Sequence, residues 1–157
     1  MPAGKQSGFT LLAVLVALVL LALGVNQVTT VVSQQAQRER EAQLLQIGLA
    51  YQQAIGNFYE STPGTVKRWP RDVSDLLEDK RFVTLRRHLR KAYVDPVATG
   101  ADWGFIRASD GGIQGVYSQS ELAPIRSAAL ELSGLSLPAA SQYRQWEFVY
   151  VPNTVKR

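Results

Sequence analysis

Few side chains in this chain have the type and spacing needed for catalysis. The chain has no cysteine, which rules out disulfides and cysteine-ligated metal sites. Its one histidine, His88, lies among arginines and lysines, where a surface position is more typical than a role as base or ligand. Gly111, Gly112 and Gly115 fit a hairpin turn and a strand better than a phosphate-binding loop, and there is no Gly-x-Ser-x-Gly motif. The sequence therefore predicts that the protein is not an enzyme.

An apolar run that begins at Gly8 dominates the amino-terminal part of the chain. Between Phe9 and Val25 only Thr10 has a polar side chain, and no charged residue occurs between Lys5 and Arg38. A helix of this length, at about 1.5 Å per residue, can cross a hydrocarbon core of about 30 Å. We therefore predict a transmembrane helix at residues 9–32.

Two simpler interpretations of the apolar run stay open. One is a single-pass anchor with no further role. The other is a secretory signal peptide that is cut after the small-x-small pattern Ala22-Leu23-Gly24, which would release a soluble protein beginning at Val25. The run is longer than the core of a usual signal peptide, and a helical pattern continues beyond it, which favours an anchor.

The helix is predicted to continue past the membrane. Residues 38–41, Arg-Glu-Arg-Glu, predict side chains of mixed sign at the membrane exit. Apolar side chains then recur at three- and four-residue steps, which predicts one buried face of an amphipathic helix over residues 33–60; they are Leu44, Ile47, Tyr51, Ile55 and Phe58. The Pro63-Gly64 pair predicts the end of the helix.

Residues 61–157 are predicted to form a small globular domain with a carboxyl-terminal antiparallel sheet. Asp72 is placed to cap a short helix, and residues 85–93 suggest a second basic turn or helix. The clearest hairpin has strands at 103–107 and 113–118 around a Ser-Asp-Gly-Gly turn. We expect a helical turn at 127–132 and a last strand at 146–152. The fold class is α+β, a long amino-terminal helix packed on a small antiparallel sheet.

The net charge of +4 is concentrated in two groups of cations, residues 80–81 and 86–91. A solvated or headgroup-facing surface explains such a cluster most simply. The functional alternatives are a contact with an acidic patch on a neighbouring subunit or with anionic lipid. Nucleic acid is disfavoured, because no aromatic-interleaved platform accompanies the charge.

The sequence at Gly8–Leu12, Gly-Phe-Thr-Leu-Leu, resembles the processing site of type IV prepilins and type II secretion pseudopilins. The resemblance implies a leader at residues 1–8, cleavage between Gly8 and Phe9 by prepilin peptidase, and N-methylation of Phe9. It also implies assembly of subunits through the helix, for which we name Phe9, Leu11, Leu12, Ala13 and Val16. Residues 95–104 and 111–118 resemble a set of type II secretion pseudopilin-like proteins, which implies a pilin-like fold.

One position departs from the family pattern. The family usually has a glutamate five residues into the processed chain, and this chain has Ala13 there. A charge at membrane depth is costly unless it is paired, so a glutamate at this position marks function. Its absence bears on methylation of Phe9, and it resembles some minor pseudopilins placed at filament tips.

The resemblance implies a single-pass protein of the bacterial inner membrane, with its amino terminus in the cytoplasm and its globular domain in the periplasm. Its partners would be other pilin or pseudopilin subunits, prepilin peptidase and the inner-membrane assembly platform. The function implied is that of a structural subunit, and a minor one, of a type II secretion or type IV-like filament. A membrane-tethered adaptor that never assembles is the competing hypothesis.

Calcium enters through the same resemblance, since major pseudopilins often hold Ca²⁺ in a loop of the carboxyl-terminal sheet. Oxygen donors of suitable hardness are present here; they are Asp95, Asp102, Asp110 and Glu121. Their spacing matches no compact calcium loop, and each has a simpler role in a turn or beside a strand. We therefore expect no cofactor, with Asp95, Asp102 and Asp110 as the weak calcium candidates.

Overall fold

The computed structural model of the chain describes residues 7–98, 100–126, 128–132 and 135–152, and for residues 7 and 21–32 it describes the backbone alone. Two compact units divide the chain, residues 1–38 and 39–157. In chain order the elements are α1 (Ser7–Glu60), α2 (Val73–Leu77), β1 (Gly104–Arg107), β2 (Ile113–Tyr117), β3 (Leu130–Leu132), β4 (Leu135–Leu137), a 3₁₀ turn (Tyr143–Gln145) and β5 (Glu147–Val149).

The first helix, α1, runs without a break for 54 residues and ends where the sequence predicts. No proline interrupts it, and leucine and alanine, which favour helix, are frequent along it. Its last turn is closed by side chains, since the Thr62 hydroxyl donates to the carbonyl of Phe58 at 3.2 Å. Pro63 follows and cannot continue the helix.

The carboxyl-terminal half of α1 supplies one side of the core of residues 39–157. The apolar face predicted from the helical spacing is confirmed, because the side chains at its centre are almost fully buried; they are Leu44, Tyr51, Ile55 and Phe58. Tyr51 also fixes a loop, as its hydroxyl accepts a hydrogen bond from the backbone N–H of Tyr93 at 3.0 Å.

The main sheet has three antiparallel strands in the order β1-β2-β5. The predicted hairpin of β1 and β2 is confirmed, with Phe105 paired to Val116 and Gly111 in the turn at a φ of 83°. Glycine adopts that left-handed conformation without steric cost. The predicted last strand is also confirmed, as β5 pairs with β2 and places Phe148 opposite Val116.

The sheet is held against α1 by ring packing and by a hydrogen bond. The fully buried ring of Phe148 lies against Gly48 of the helix. The rings of Tyr51 and Trp103 have centroids 5.5 Å apart. Gln52 of α1 donates to the carbonyl of Val149 in β5 at 2.9 Å. The α+β, pilin-like architecture predicted from the sequence is therefore confirmed.

The short helix α2 begins as predicted, and its cap is more complete than expected. Asp72 accepts a hydrogen bond from the backbone N–H of Val73. Asp75 reaches back to the backbone N–H of Asp72, so the two carboxylates form a reciprocal capping box. Asp75 carries out the function that glutamate has in the usual box.

The helical alternative for residues 85–93 is wrong, and so is the helical turn predicted at 127–132, as far as the structure describes that segment. Residues 85–93 form no helix, because their backbone groups bond elsewhere: Leu76 accepts from both His88 and Leu89 at 2.9 Å, and Arg86 accepts from Asp79. Residues 130–132 form strand β3, paired with β4, instead of a helical turn. Alternation in β4, with leucines buried and a serine exposed, is the period-two pattern that favours strand. Residue 127, where the predicted turn begins, lies outside the described residues.

We expect Gly48→Ala to lower the free energy of unfolding by about 1–3 kcal/mol, as overpacking usually does. A Cβ at this position would lie 2.5 Å from three ring atoms of Phe148, whose buried ring has little room to move. The gain in helix propensity, about 1 kcal/mol, is smaller than this cost.

Gly56→Ala is the matched comparison, because its Cβ would meet the ring of Tyr150, which is half-buried, whereas the Phe148 ring is fully buried. Urea unfolding followed by tryptophan fluorescence compares the two variants. Gly48→Ala should be the less stable one, and a Gly48→Ala protein as stable as the wild type would contradict the packing described here.

Candidate processing and assembly segment

The proposed assembly residues lie on the first turns of α1, and the structure leaves all of them exposed; they are Phe9, Leu11, Leu12, Ala13 and Val16. Phe9 is 74% exposed and Leu11 is 65% exposed. Exposed apolar side chains continue as far as Leu20. Contiguous apolar surface of this extent is rare in soluble monomers and marks a contact with lipid or protein.

Gly8 lies in the first turn of α1, next to Phe9 at the proposed cleavage site. A Cβ placed on Gly8 would meet no atom of the described residues within 4 Å. Among the described residues, the glycines with a left-handed φ are Gly64, Gly100 and Gly111, and Gly8 is not one of them. Within this part of the chain, neither packing nor backbone conformation therefore requires glycine at this position, whereas recognition by a processing enzyme would.

The predicted transmembrane segment lies only partly within the described residues. The side chains of residues 21–32 lie outside them, as does most of the predicted leader at residues 1–8. Among the described residues, no helix combines the length and the apolar character needed to cross a membrane.

The three weak calcium candidates have different environments, and two of them serve turns. Asp95 is buried, and its Oδ1 accepts from the backbone N–H groups of Val97 and Ala98 at 2.8 and 3.1 Å. Its Oδ2 is buried and has no hydrogen-bond partner among the residues that the structure describes. Asp110 accepts from the backbone N–H of Gly112 in the hairpin turn, and Asp102 is exposed. Within the described ranges, no three acidic or histidine side chains are grouped closely enough to hold a metal ion.

We expect calcium to leave the melting temperature of the protein unchanged. Ca²⁺ takes six to eight oxygen ligands, and the carboxylates of Asp95 and Asp110 serve separate turns. A ligand of the folded state must raise stability by mass action, so melting curves with excess CaCl₂ and with a chelator should superimpose. A higher melting temperature in CaCl₂ would contradict the assignment of these carboxylates to turns.

Asp79, Arg81 and His88 form a buried polar cluster at the carboxyl end of α1. The sequence alone does not predict this cluster. The Asp79 side chain is fully buried and is held by Arg81 in a two-pronged pair, with Nε–Oδ1 at 2.8 Å and Nη2–Oδ2 at 2.7 Å. His88 completes the cluster with Nε2 at 3.0 Å from Oδ2. His88 is therefore nearly buried, and the prediction of a surface histidine is wrong.

Arg81 connects this cluster to the helix. Its Nη2 donates to the carbonyl of Phe58 at 2.9 Å, and its Nη1 donates to the Thr62 hydroxyl at 2.7 Å. The guanidinium carbon also lies 3.4 Å from the centroid of the Phe58 ring. Arg81 thus caps the helix end, where a cation is favoured by the helix dipole.

Burial opposes ionisation of Asp79, but the hydrogen bonds from Arg81 and His88 outweigh it and hold the pKa of that carboxyl well below its usual range. Asp79 is therefore a carboxylate at every physiological pH. A group held so firmly ionised is suited to structural pairing and unsuited to proton transfer.

Glu41 is a second buried carboxylate that the sequence does not single out. It is 3% exposed, although it belongs to the run of charged residues at 38–41. Its Oε2 accepts from the Tyr143 hydroxyl and from the backbone N–H of Ile125, both at 2.8 Å. Arg126 Nε lies 3.4 Å from its Oε1. Through these contacts Glu41 holds the segment that follows β2, around Ile125, against α1.

Comparison with known protein families gives one match, at the amino-terminal end of the chain. Residues 4–25 match the family described as the prokaryotic N-terminal methylation motif. No curated protein and no solved structure matches the chain. The matched residues include Gly8, Phe9 and the exposed apolar turns of α1 described above. The amino-terminal segment of this chain is therefore a type IV prepilin-like cleavage and methylation segment.

Proposed function

We propose that the protein is a pseudopilin-like structural subunit of a type II secretion or type IV-like filament. Prepilin peptidase would remove residues 1–8 by cutting between Gly8 and Phe9, and Phe9 would become the first residue. The observation that carries this proposal is the methylation motif at residues 4–25, which lies on a helix with an exposed apolar surface. The motif points to a processed structural subunit instead of an enzyme.

The expected location follows from the motif and the apolar run. Residues 9–32 would anchor the chain in the bacterial inner membrane, with the amino terminus in the cytoplasm and residues 61–157 in the periplasm. In the filament, apolar helices of neighbouring subunits would pack against one another through Phe9, Leu11, Leu12, Ala13 and Val16. The assembly platform would draw the subunits from the membrane, and the growing filament would push or present cargo.

Ala13 supports a minor role within such a filament. Prepilin-type subunits usually have a carboxylate there, which could pair with the amine of a neighbouring subunit inside the membrane, where unpaired charge is costly. Ala13 provides no partner for that amine. We propose that this chain is a minor or initiating subunit for that reason.

Ala13→Glu should raise incorporation into filaments several-fold, because the new carboxylate can pair with an amino-terminal amine in the apolar layer. The measurement is the amount of the protein in sheared filament fractions from the native host, normalised to total protein. Ala17→Glu, in the same apolar run, is the control and should not raise incorporation. Equal incorporation of Ala13→Glu and wild type would count against this account of position 13.

The competing function is a membrane-tethered adaptor that never assembles. Replacing residues 9–32 with an unrelated transmembrane helix, with residues 1–8 removed, separates the two hypotheses. A filament subunit would disappear from filament fractions while staying in the membrane at the same level. An adaptor would keep its full binding to its partner after the helix is replaced.

Cross-linking gives a second measure of assembly. Because the chain has no cysteine, Val16→Cys provides a unique reactive site on the exposed surface of α1. Bismaleimide treatment of native membranes should link this site to a second pilin-type subunit bearing a cysteine at the corresponding position. Gln46→Cys, an exposed site on α1 beyond the apolar run, is the matched control.

A further inference from the structure

Residues 80–91, named here the basic loop, form a cationic surface that the proposed filament role does not explain. Five cations of the loop are exposed; they are Lys80, Arg86, Arg87, Arg90 and Lys91. No aspartate or glutamate occurs between residues 80 and 94, and the acidic residues next to that stretch, Asp79 and Asp95, are buried. The exposed Glu78 is the nearest acidic side chain in sequence that reaches solvent, and it can offset only one of the five exposed cations.

Apolar side chains lie at the tip of this cationic loop. Val83 is fully exposed and Leu85 is 53% exposed. The Arg86 guanidinium lies over the ring of Phe82, 4.0 Å from its centroid, which holds one cation beside the tip. Val83 and Leu85 are thus presented outward between positive charges instead of being folded into the core.

The base of the basic loop is fixed, so the projecting tip is a feature of the fold. The Asp79 N–H donates to the carbonyl of Arg86 at 2.9 Å and closes the loop. Leu89, which follows the tip, is buried in the core, and its N–H donates to Leu76. The Asp79–Arg81 pair described above holds the other side.

A shallow cavity of about 180 Å³ opens beside the loop. Its lining residues include Gln53 and Asn57 on α1 and Arg90 of the loop, whose side chains carry hydrogen-bond donors. A guanidinium is also well suited to phosphate oxygens. The cavity thus places further donors next to the exposed cations.

We propose that the basic loop docks on a membrane surface that contains anionic phospholipid. Val83 and Leu85 enter the boundary between headgroups and acyl chains, and the five cations pair with lipid phosphates. A projecting apolar tip ringed by cations fits a fluid layer that closes around it. An acidic protein would instead have to supply a hollow lined with carboxylates. The proposal concerns residues 80–91 and does not depend on filament assembly.

The test uses the full chain, anchored in nanodiscs of phosphatidylcholine and carrying an environment-sensitive fluorophore at Thr84→Cys. Thr84 is exposed and lies between the two apolar tip residues. Vesicles of phosphatidylcholine, with or without phosphatidylglycerol, are then added. We expect a blue shift and a rise in intensity with the anionic vesicles alone, and a loss of both in high salt because salt screens exposed charges.

Two sets of variants separate the contributions. Arg86→Gln with Arg87→Gln should weaken binding to anionic vesicles at least about tenfold. Arg107→Gln with Arg144→Gln removes the same charge from exposed positions outside the loop and should change binding little. Val83→Ser with Leu85→Ser should abolish the blue shift while leaving part of the salt-sensitive binding. Melting temperatures verify that all variants are folded.

Several outcomes would overturn the proposal. One is no response to anionic vesicles, and another is an equal response to neutral ones. A third is an equal loss of binding in the two double arginine variants, which would indicate general charge attraction. A response to poly-glutamate but not to anionic vesicles would assign the loop to an acidic protein partner instead.

Discussion

An Asp79→Ala variant is expected to lose about 3–5 kcal/mol of unfolding free energy, the usual cost of removing one partner from a buried ion pair. The carboxylate is fully buried, and Arg81 and His88 both depend on it. Its loss would leave the Arg81 guanidinium largely buried without a counter-charge. Because Arg81 also caps α1 at Phe58 and Thr62, the last turn of the helix would be weakened as well.

The same carboxylate makes stability depend on pH. The pKa of Asp79 is depressed in the folded protein, so its stabilising contribution is fully present above the unfolded value of about 4. That contribution is lost progressively as the pH falls below about 4 towards the folded value. The difference in unfolding free energy between wild type and Asp79→Ala should therefore shrink on acidification.

Chemical unfolding at pH 7 and at a series of lower pH values measures both effects. Asp102→Ala is the matched control, since its carboxylate is exposed, and we expect it to cost no more than about 0.5 kcal/mol. An Asp79→Ala protein within that margin of wild type at pH 7 would show that the buried pair adds little to stability.

The second large effect is on processing. Gly8→Leu should leave the leader on nearly all of the protein, because a bulky side chain next to the scissile bond would keep the segment out of a site that accepts glycine. A Cβ at Gly8 meets nothing among the described residues, so the substitution should not disturb the fold. A loss of cleavage would then report on recognition by the peptidase alone.

Electrophoretic mobility and amino-terminal sequencing of the membrane fraction provide the measurement. Gly4→Leu is the control, because it adds the same side chain within the leader but away from the proposed bond. It should be processed like the wild type. Cleavage of Gly8→Leu at the normal rate would place the processing site elsewhere.

The elements with local signals could be predicted from the sequence. The spacing of Leu44, Tyr51 and Ile55 gives the buried face of α1, and all three are buried. Asp72 gives the start of α2, and the glycines of the turn at 109–112 give the hairpin. In each case the residues that determine the element lie within it, so no tertiary information is needed.

The errors occur where distant contacts decide the structure. Residues 85–93 suggest a turn or helix by composition, but the N–H groups of His88 and Leu89 both bond to the carbonyl of Leu76. The cations around His88 suggest an exposed side chain, but its ring contacts the buried carboxylate of Asp79 and is itself only 9% exposed. Glu41 belongs to a run of four charged residues, but Tyr143, 102 residues later, buries it with a hydrogen bond. Single-sequence patterns carry no information on such pairings.

In the candidate site too, the features with a local signal could be predicted and those that depend on distant contacts could not. The cleavage and methylation segment is recognisable because its signal is contiguous, from residue 4 to residue 25. The basic loop is visible as a charge cluster, but its exposed apolar tip and its fixed base emerge only in the fold. The calcium candidates are compatible by type, and the structure places two of them in separate turns.

The most direct test of the proposed function is the intact mass and the amino-terminal residue of the protein isolated from its native host. A chain that begins at Phe9, with or without a methyl group, is the result we predict, and an unmethylated Phe9 would fit the alanine at position 13. A chain that begins at Met1 would contradict processing and favour a tethered adaptor. A chain that begins at Val25 would identify a signal peptide and remove the assembly helix from the mature protein.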